Sequence, residues 1–139
     1  MKYILSLSII AAAFCLFISC KKSSSGGVKG MLEARWKSEE TGIDKNGNGI
    51  LDSNEVTHTD SLNNYRVFNS DGSGSDIGAD LGNYPIPFQW AVSTDNTYLR
   101  IIDTTNSAII FHIDLISNSQ LILKDTAGGI YTWNVYKKS

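Results

Sequence analysis

From Tyr65 to Tyr136 apolar and polar residues alternate with a period close to two, the signature of half-buried strands. Tyr65-Arg66-Val67-Phe68 runs into the turn Asn69-Ser70-Asp71-Gly72. Phe88, Trp90 and Val92 alternate with Gln89, Ala91 and Ser93 before Asp95-Asn96 reverses the chain. Tyr98 to Ile102 follows, then a polar turn from Asp103 to Ser107. Ile109, Phe111, Ile113 and Leu115 alternate with Ile110, His112 and Asp114. Asn118 marks a turn before Leu121-Ile122-Leu123-Lys124, and Gly128-Gly129 another before Tyr131, Trp133 and Val135. Short strands, polar turns and no convincing helix predict an all-β meander of antiparallel hairpins. Such a meander must close into a barrel or stack as a sandwich, because open edges invite aggregation. Met31 to Glu40 fits two periods, since Leu32 and Trp36 are four apart yet Leu32, Ala34 and Trp36 also alternate with Glu33, Arg35 and Lys37. Within a meander the alternation wins, giving a first strand with Trp36 inside. Asp71 to Asn83, rich in Gly and Asp, is expected as a long loop or an irregular hairpin tip.

Residues 1–19 follow another pattern. Lys2 leads into the uncharged run Ile4 to Ile18, too short for the ~20 residues of a spanning helix and suited to the core of a signal peptide. The run ends Ser19-Cys20, followed by Lys21-Lys22. This resembles the lipobox of bacterial lipoproteins, in which a small residue precedes a cysteine that becomes lipidated after cleavage. Phe17 and Ile18 depart from the usual lipobox, a laxity that resembles lipoproteins of Bacteroidota. Competing readings are an uncleaved anchor or a secreted protein cut elsewhere. Cys15 would leave with the signal, so Cys20 remains alone, and a domain without disulfides must be held by its core. Residues 20–29, polar and glycine-rich, read as a flexible tether, and 30–139 as one β-domain. The location implied is the bacterial cell envelope, membrane-anchored through Cys20. With no acidic run behind the cysteine, the periplasmic side is favoured over the outer surface.

The strands carry a second resemblance. Trp36, Tyr65-x-x-Phe68-x-x-Asp71-Gly72, Phe88-Gln89-Trp90 with Ser93-x-Asp95-Asn96-x-x-Leu99, Leu121-x-Leu123-Lys124 and Tyr131…Tyr136-Lys137-Lys138 together resemble the lipocalin-like lipoproteins of Bacteroidota. The resemblance implies a small calycin-type barrel and little about activity. One departure is Ala34, where lipocalins usually carry glycine two residues before the early tryptophan.

The link after the first strand carries the sharpest motif. Residues 44–55 read DKNGNGILDSNE, placing Asp44, Asn46, Asn48, Gly49 and Glu55 at positions 1, 3, 5, 6 and 12 of the EF-hand loop. Asp52 stands at position 9 and the apolar Leu51 at position 8. Calcium takes six to eight oxygens, and alternate residues of a tight loop aim them at one centre. Side chains of Asp44, Asn46 and Asn48, the carbonyl of Ile50, Asp52 directly or through water, and a bidentate Glu55 make up the expected set for Ca²⁺. A plain Asn-Gly hairpin tip is the rival reading, but it does not require acids at positions 9 and 12. Asp52 and Glu55 also resemble a capping box able to start one helical turn. Thr41-Gly42-Ile43 and Val56-Thr57-His58-Thr59 are poor helix flanks, and Asp71 to Gly82 lacks the residues of a second loop. The expectation is one EF-hand-like loop inserted in the β-domain, with affinity in the weak range of about 10⁻⁴–10⁻³ M.

Composition narrows the rest. The chain has 139 residues, 42% of them apolar, with 12 Lys and Arg against 14 Asp and Glu, a formal charge of −2 that predicts no nucleic-acid partner. His58 and His112 do not have the short spacing of a zinc pair, and His112 with Asp114 lacks a nucleophile elbow. No catalytic role is expected. Trp36, Phe68, Phe88, Trp90, Phe111 and Trp133 either fill the barrel or line a pocket for a small apolar ligand. The resulting expectation is an envelope-anchored binding or structural module with a calcium loop, the alternative being a carrier of small apolar molecules.

Overall fold

The computed structural model describes residues 26–59, 63–79, 81–127 and 129–139. The signal run, Cys20 and most of the tether lie outside the described residues. The tether expected through residue 29 gives way earlier to a helix, α1 (Gly27–Leu32), which the period-two reading had not anticipated. Nine strands follow: β1 (Arg35–Ile43), β2 (Val56–His58), β3 (Tyr65–Phe68), β4 (Ser73–Ile77), β5 (Ile86–Val92), β6 (Tyr98–Asp103), β7 (Ala108–Ile116), β8 (Gln120–Ala127) and β9 (Ile130–Lys138). All pairings are antiparallel, each strand from β3 to β8 bonds its successor, and β9 returns to β1. β2 and β3 pair with different halves of β1, Gly42 opposite Val56 and Trp36 opposite Arg66, so they share one barrel position. The result is an eight-position closed antiparallel barrel. Closure satisfies both edges of the meander. Within the stretch expected as a loop, β4 pairs on both sides, with Arg66 opposite Asp76 and Gly74 opposite Phe88.

Because neighbours run antiparallel, the connections separate into two ends. α1 and the β3–β4, β5–β6 and β7–β8 turns gather at one end, and the 44–55 link with the β4–β5, β6–β7 and β8–β9 connections at the other. The first end is shut. Leu32 of α1 is fully buried, and its carbonyl accepts the Trp36 indole N–H at 2.9 Å, tying helix to strand. Trp36, Phe68, Phe88, Trp90, Leu99, Ile101, Phe111, Leu121 and Leu123 pack there with Tyr136 as one cluster. Phe68 meets both Phe88 and Trp90 edge-on, with ring centres 5.7 and 5.2 Å apart. Each such side chain contributes about 1.5–3 kcal/mol by leaving water, which is how the barrel stands without a crosslink.

Candidate functional site

Two features distinguish the other end. The first is the 44–55 loop, which begins one residue after β1 and ends one residue before β2. Strands, not helices, therefore present it, in keeping with its β-rich flanks. Ile43 N–H donates to the Glu55 carbonyl at 3.4 Å, closing the hairpin, and Asp44 N–H donates to the Tyr131 carbonyl at 2.9 Å, fixing the loop to β9. Glu55 N–H donates to the Asp52 carbonyl at 2.9 Å, forming a turn where a helical turn was expected. Leu51 folds back over Gly42, where a Cβ would come within 2.1 Å of its Cδ1. Gly49 has φ +74°, a left-handed conformation that other residues adopt only with strain.

Inside the loop the side chains turn inward. Asp44 is 6% exposed and accepts the N–H groups of Gly47 (2.6 Å), Asn48 (3.2 Å) and Gly49 (2.7 Å). The Asn46 side-chain oxygen accepts Asn48 N–H at 2.9 Å, and that of Asn48 accepts Ile50 N–H at 2.8 Å. Both side-chain amides reach Asp52 Oδ2 at 2.9 Å. Glu55, 5% exposed, receives Lys45 N–H (2.8 Å) and Asn46 N–H (3.3 Å) on Oε1. Its Oε2 is shielded from water and has no hydrogen-bond partner among the described residues. Among the described residues no Lys, Arg or His forms an ion pair with Asp44, Asp52 or Glu55. Burying carboxylates without a cation is costly, so the fold leaves a deficit of positive charge at this point. No three His, Cys, Asp or Glu side chains form a metal-holding cluster among the described residues. A calcium site here would have to add the Asn46 and Asn48 amide oxygens and the Ile50 carbonyl to these carboxylates.

The second feature is a cavity of about 360 Å³ beside the loop hairpin. Its floor is Arg66, whose Nε and Nη2 donate to Asp76 Oδ1 and Oδ2 at 2.7 and 2.8 Å. The guanidinium stands 5.6–5.8 Å from the ring centres of Phe88, Phe111 and Tyr136, forming a lid on the packed core. Burial works against its charge, but Tyr136 and Asp76 outweigh that and push the arginine pKa up. Burial also pushes the Tyr136 hydroxyl up, opposed by Arg66. Ser38 and Thr41 of β1, Thr59, Asn64 and Asn134 form the walls, while Tyr65, Ile77 and Leu81 complete the lining.

The aromatic residues that could either fill the barrel or line a pocket lie away from this cavity. Trp36, Phe68, Phe88, Trp90 and Phe111 fill the closed core below the Arg66 lid and do not line this cavity. Trp133 does not face the interior at all. Tyr136 points inward, so alternation along β9 turns Val135 and Trp133 to the outer face. Trp133 is nonetheless only 3% exposed, opposite Gly42 on one side and Lys124 on the other. Its indole N–H donates to Asp114 Oδ2 at 3.1 Å. Asp114 occupies a bulge in β7, which re-aims its side chain so that its Oδ1 also meets His112 Nδ1 at 2.6 Å and Lys124 Nζ at 3.5 Å. These contacts make Asp114 a clamp across three strands, and no hydroxyl or thiol nucleophile hydrogen-bonds His112 among the described residues. Arg66, Asp76 and Asn64 were missed by sequence reasoning, since a polar residue on an amphipathic strand reads as solvent-facing.

No protein-family model matches the chain, and no curated protein sequence does. Among solved structures it is similar to a lipocalin-like protein from Bacteroides uniformis, with a TM-score of 0.52 and 18% identity over 78% of this chain and 99% of that one. A deswapped triple mutant of bovine odorant-binding protein aligns with a TM-score of 0.42 at 11% identity, covering 78% and 74% of the two chains. Closed topology and structural likeness together define the fold as a lipocalin-like barrel.

Proposed function

We propose that this chain is a binding protein that receives a small molecule in the open half of its barrel, and that calcium closes the hairpin forming one wall. The observation that carries the binding reading is the division of the interior, packed solid below Arg66 and open above it. At about 360 Å³ the cavity falls at the low end of small-molecule sites. Saturable changes in cavity amide resonances during titration with small-molecule probes test the reading, and a spectrum indifferent to every probe refutes it.

The calcium reading is supported by Glu55 Oε2, a buried carboxylate oxygen without a partner among the described residues, inside a loop of EF-hand spacing. A divalent ion supplies the missing partner and neutralises Asp44, Asp52 and Glu55 together. Calorimetry with calcium on wild type and on an Asp44→Ala, Glu55→Ala variant checks it. Equal heats reject the site. Attachment to the envelope through Cys20 completes the proposal, resting on the sequence of residues 1–22 alone. Labelled palmitate should enter the wild type and not Cys20→Ala. In this reading the chain binds and does not catalyse.

A further inference from the structure

We infer that the cavity above Arg66 is built for a small uncharged ligand rich in hydroxyl groups, a sugar or polyol, and less suited to an apolar chain; the inference rests on the binding reading above.

A long apolar ligand needs a deep dry slot. Here that depth is already occupied, because Leu32 plugs the far end and the aromatic core fills the space up to the guanidinium. An acyl chain entering from the open end would lie against the Arg66–Asp76 pair and strip water from it with nothing in exchange. The walls are no more welcoming, since Ser38, Thr41, Thr59, Asn64 and Asn134 present hydroxyls and amides. Charge is the second argument. Among the described residues of the lining Arg66 is the only cation and Asp76 the only anion, and they are bonded to each other through two hydrogen bonds. A charged ligand would have to break a pair that is already satisfied, so a neutral ligand fits. The third argument is the hydrogen-bonding capacity of the walls. Ser38 Oγ and Thr59 Oγ1, 2.9 Å apart, bridge the walls and can each turn a donor or an acceptor toward a hydroxyl. Ile77 and Leu81 leave a small apolar edge suited to the C–H face of a ring.

The test uses the full chain in lipid nanodiscs and saturation-transfer NMR, with empty nanodiscs as the blank. The probes are glucose, N-acetylglucosamine, maltose and sorbitol on one side and palmitate on the other. At least one hydroxylated probe should receive saturation from the protein and be displaced by excess of itself. Thr41→Val and Asn64→Leu, which remove a hydroxyl and an amide at nearly constant volume, should each weaken that probe about threefold to tenfold. If palmitate binds saturably and the hydroxylated probes do not, the ligand class is overturned while the binding reading stands. If neither binds, both fall. Hydroxylated probes that bind equally to wild type and both variants place the contact outside this cavity and overturn the inference.

Discussion

Replacing Glu55 by glutamine should raise stability without calcium and blunt the stabilisation that calcium brings. Without metal, Glu55 Oε1 accepts two main-chain N–H groups while Oε2 is buried and unpaired. Glutamine keeps an oxygen for the first two bonds and removes the charge. An unsatisfied buried group costs about 1–3 kcal/mol, and because the new amide nitrogen also needs a partner, a net gain of about 0.5–2 kcal/mol is expected. For a barrel of about 110 residues, 1 kcal/mol moves Tm by about 3–6 °C, so the variant should melt about 2–12 °C higher in EDTA. Calcium narrows that difference. At about 10 mM ion and a Kd of about 10⁻⁴–10⁻³ M, wild type gains about 1.4–2.7 kcal/mol, or about 4–16 °C. A tenfold loss of affinity on removing the bidentate carboxylate cuts the gain of the variant by about 1 kcal/mol. Melting followed by near-ultraviolet circular dichroism, in EDTA, calcium and magnesium, reads all three conditions. Magnesium should do little, because it demands an octahedron and retains its waters. Equal calcium shifts in the two proteins, or none in wild type, refute the reasoning.

Other perturbations read other parts of the barrel. Leu99→Ala removes a fully buried side chain and should cost about 2.7–5 kcal/mol in urea unfolding; a loss below about 1 kcal/mol would mean the core can collapse around the gap. Gly74→Ala places a Cβ 2.2 Å from the Phe88 ring and 2.5 Å from the Val67 carbonyl, so a loss of about 1–3 kcal/mol is expected, and an unchanged denaturation midpoint would contradict that packing. Tyr136 links stability to alkaline pH. Its folded pKa is raised, so its contribution is complete below about pH 10, the unfolded value, and is lost as pH rises toward the folded one. Tyr136→Phe should flatten the decline of the denaturation midpoint above pH 10, and an identical slope would count against the shift.

Strands with apolar alternation were readable from the chain, and so was their number within one or two. β4 was not, because Ser73 to Ile77 offers a single apolar residue. Its inner face is bare at Gly74 because the Phe88 ring from the next strand occupies that space. Helix α1 escaped for lack of length, six residues giving no periodicity to see. β9 misled in another way. Tyr131, Trp133 and Val135 alternate as predicted, yet this row faces outward, while Tyr136 and Asn134 face in. A strand covered on both faces shows its alternation without revealing which face is the interior. The 44–55 motif stood out in the sequence because a calcium loop demands residue types at fixed spacing, and its metal reading belongs to the proposal above. The burial of the loop did not stand out, since that depends on Leu51 folding onto Gly42 and on the bond from Asp44 to Tyr131. The Arg66–Asp76 floor was hidden because an ion pair across two strands leaves no local signature.

The seam between β1 and β9 has a kinetic consequence. Trp36 stands opposite Lys138, so the ring cannot shut until the two extremities of the domain have found each other. Neighbouring hairpins form early, but this last zippering carries the entropy of the whole intervening loop, which puts such topologies in the millisecond-to-second regime of folding. Until then β1 and β9 present bare hydrogen-bonding edges to any other copy, and a crowded solution during refolding should favour intermolecular pairing over ring closure.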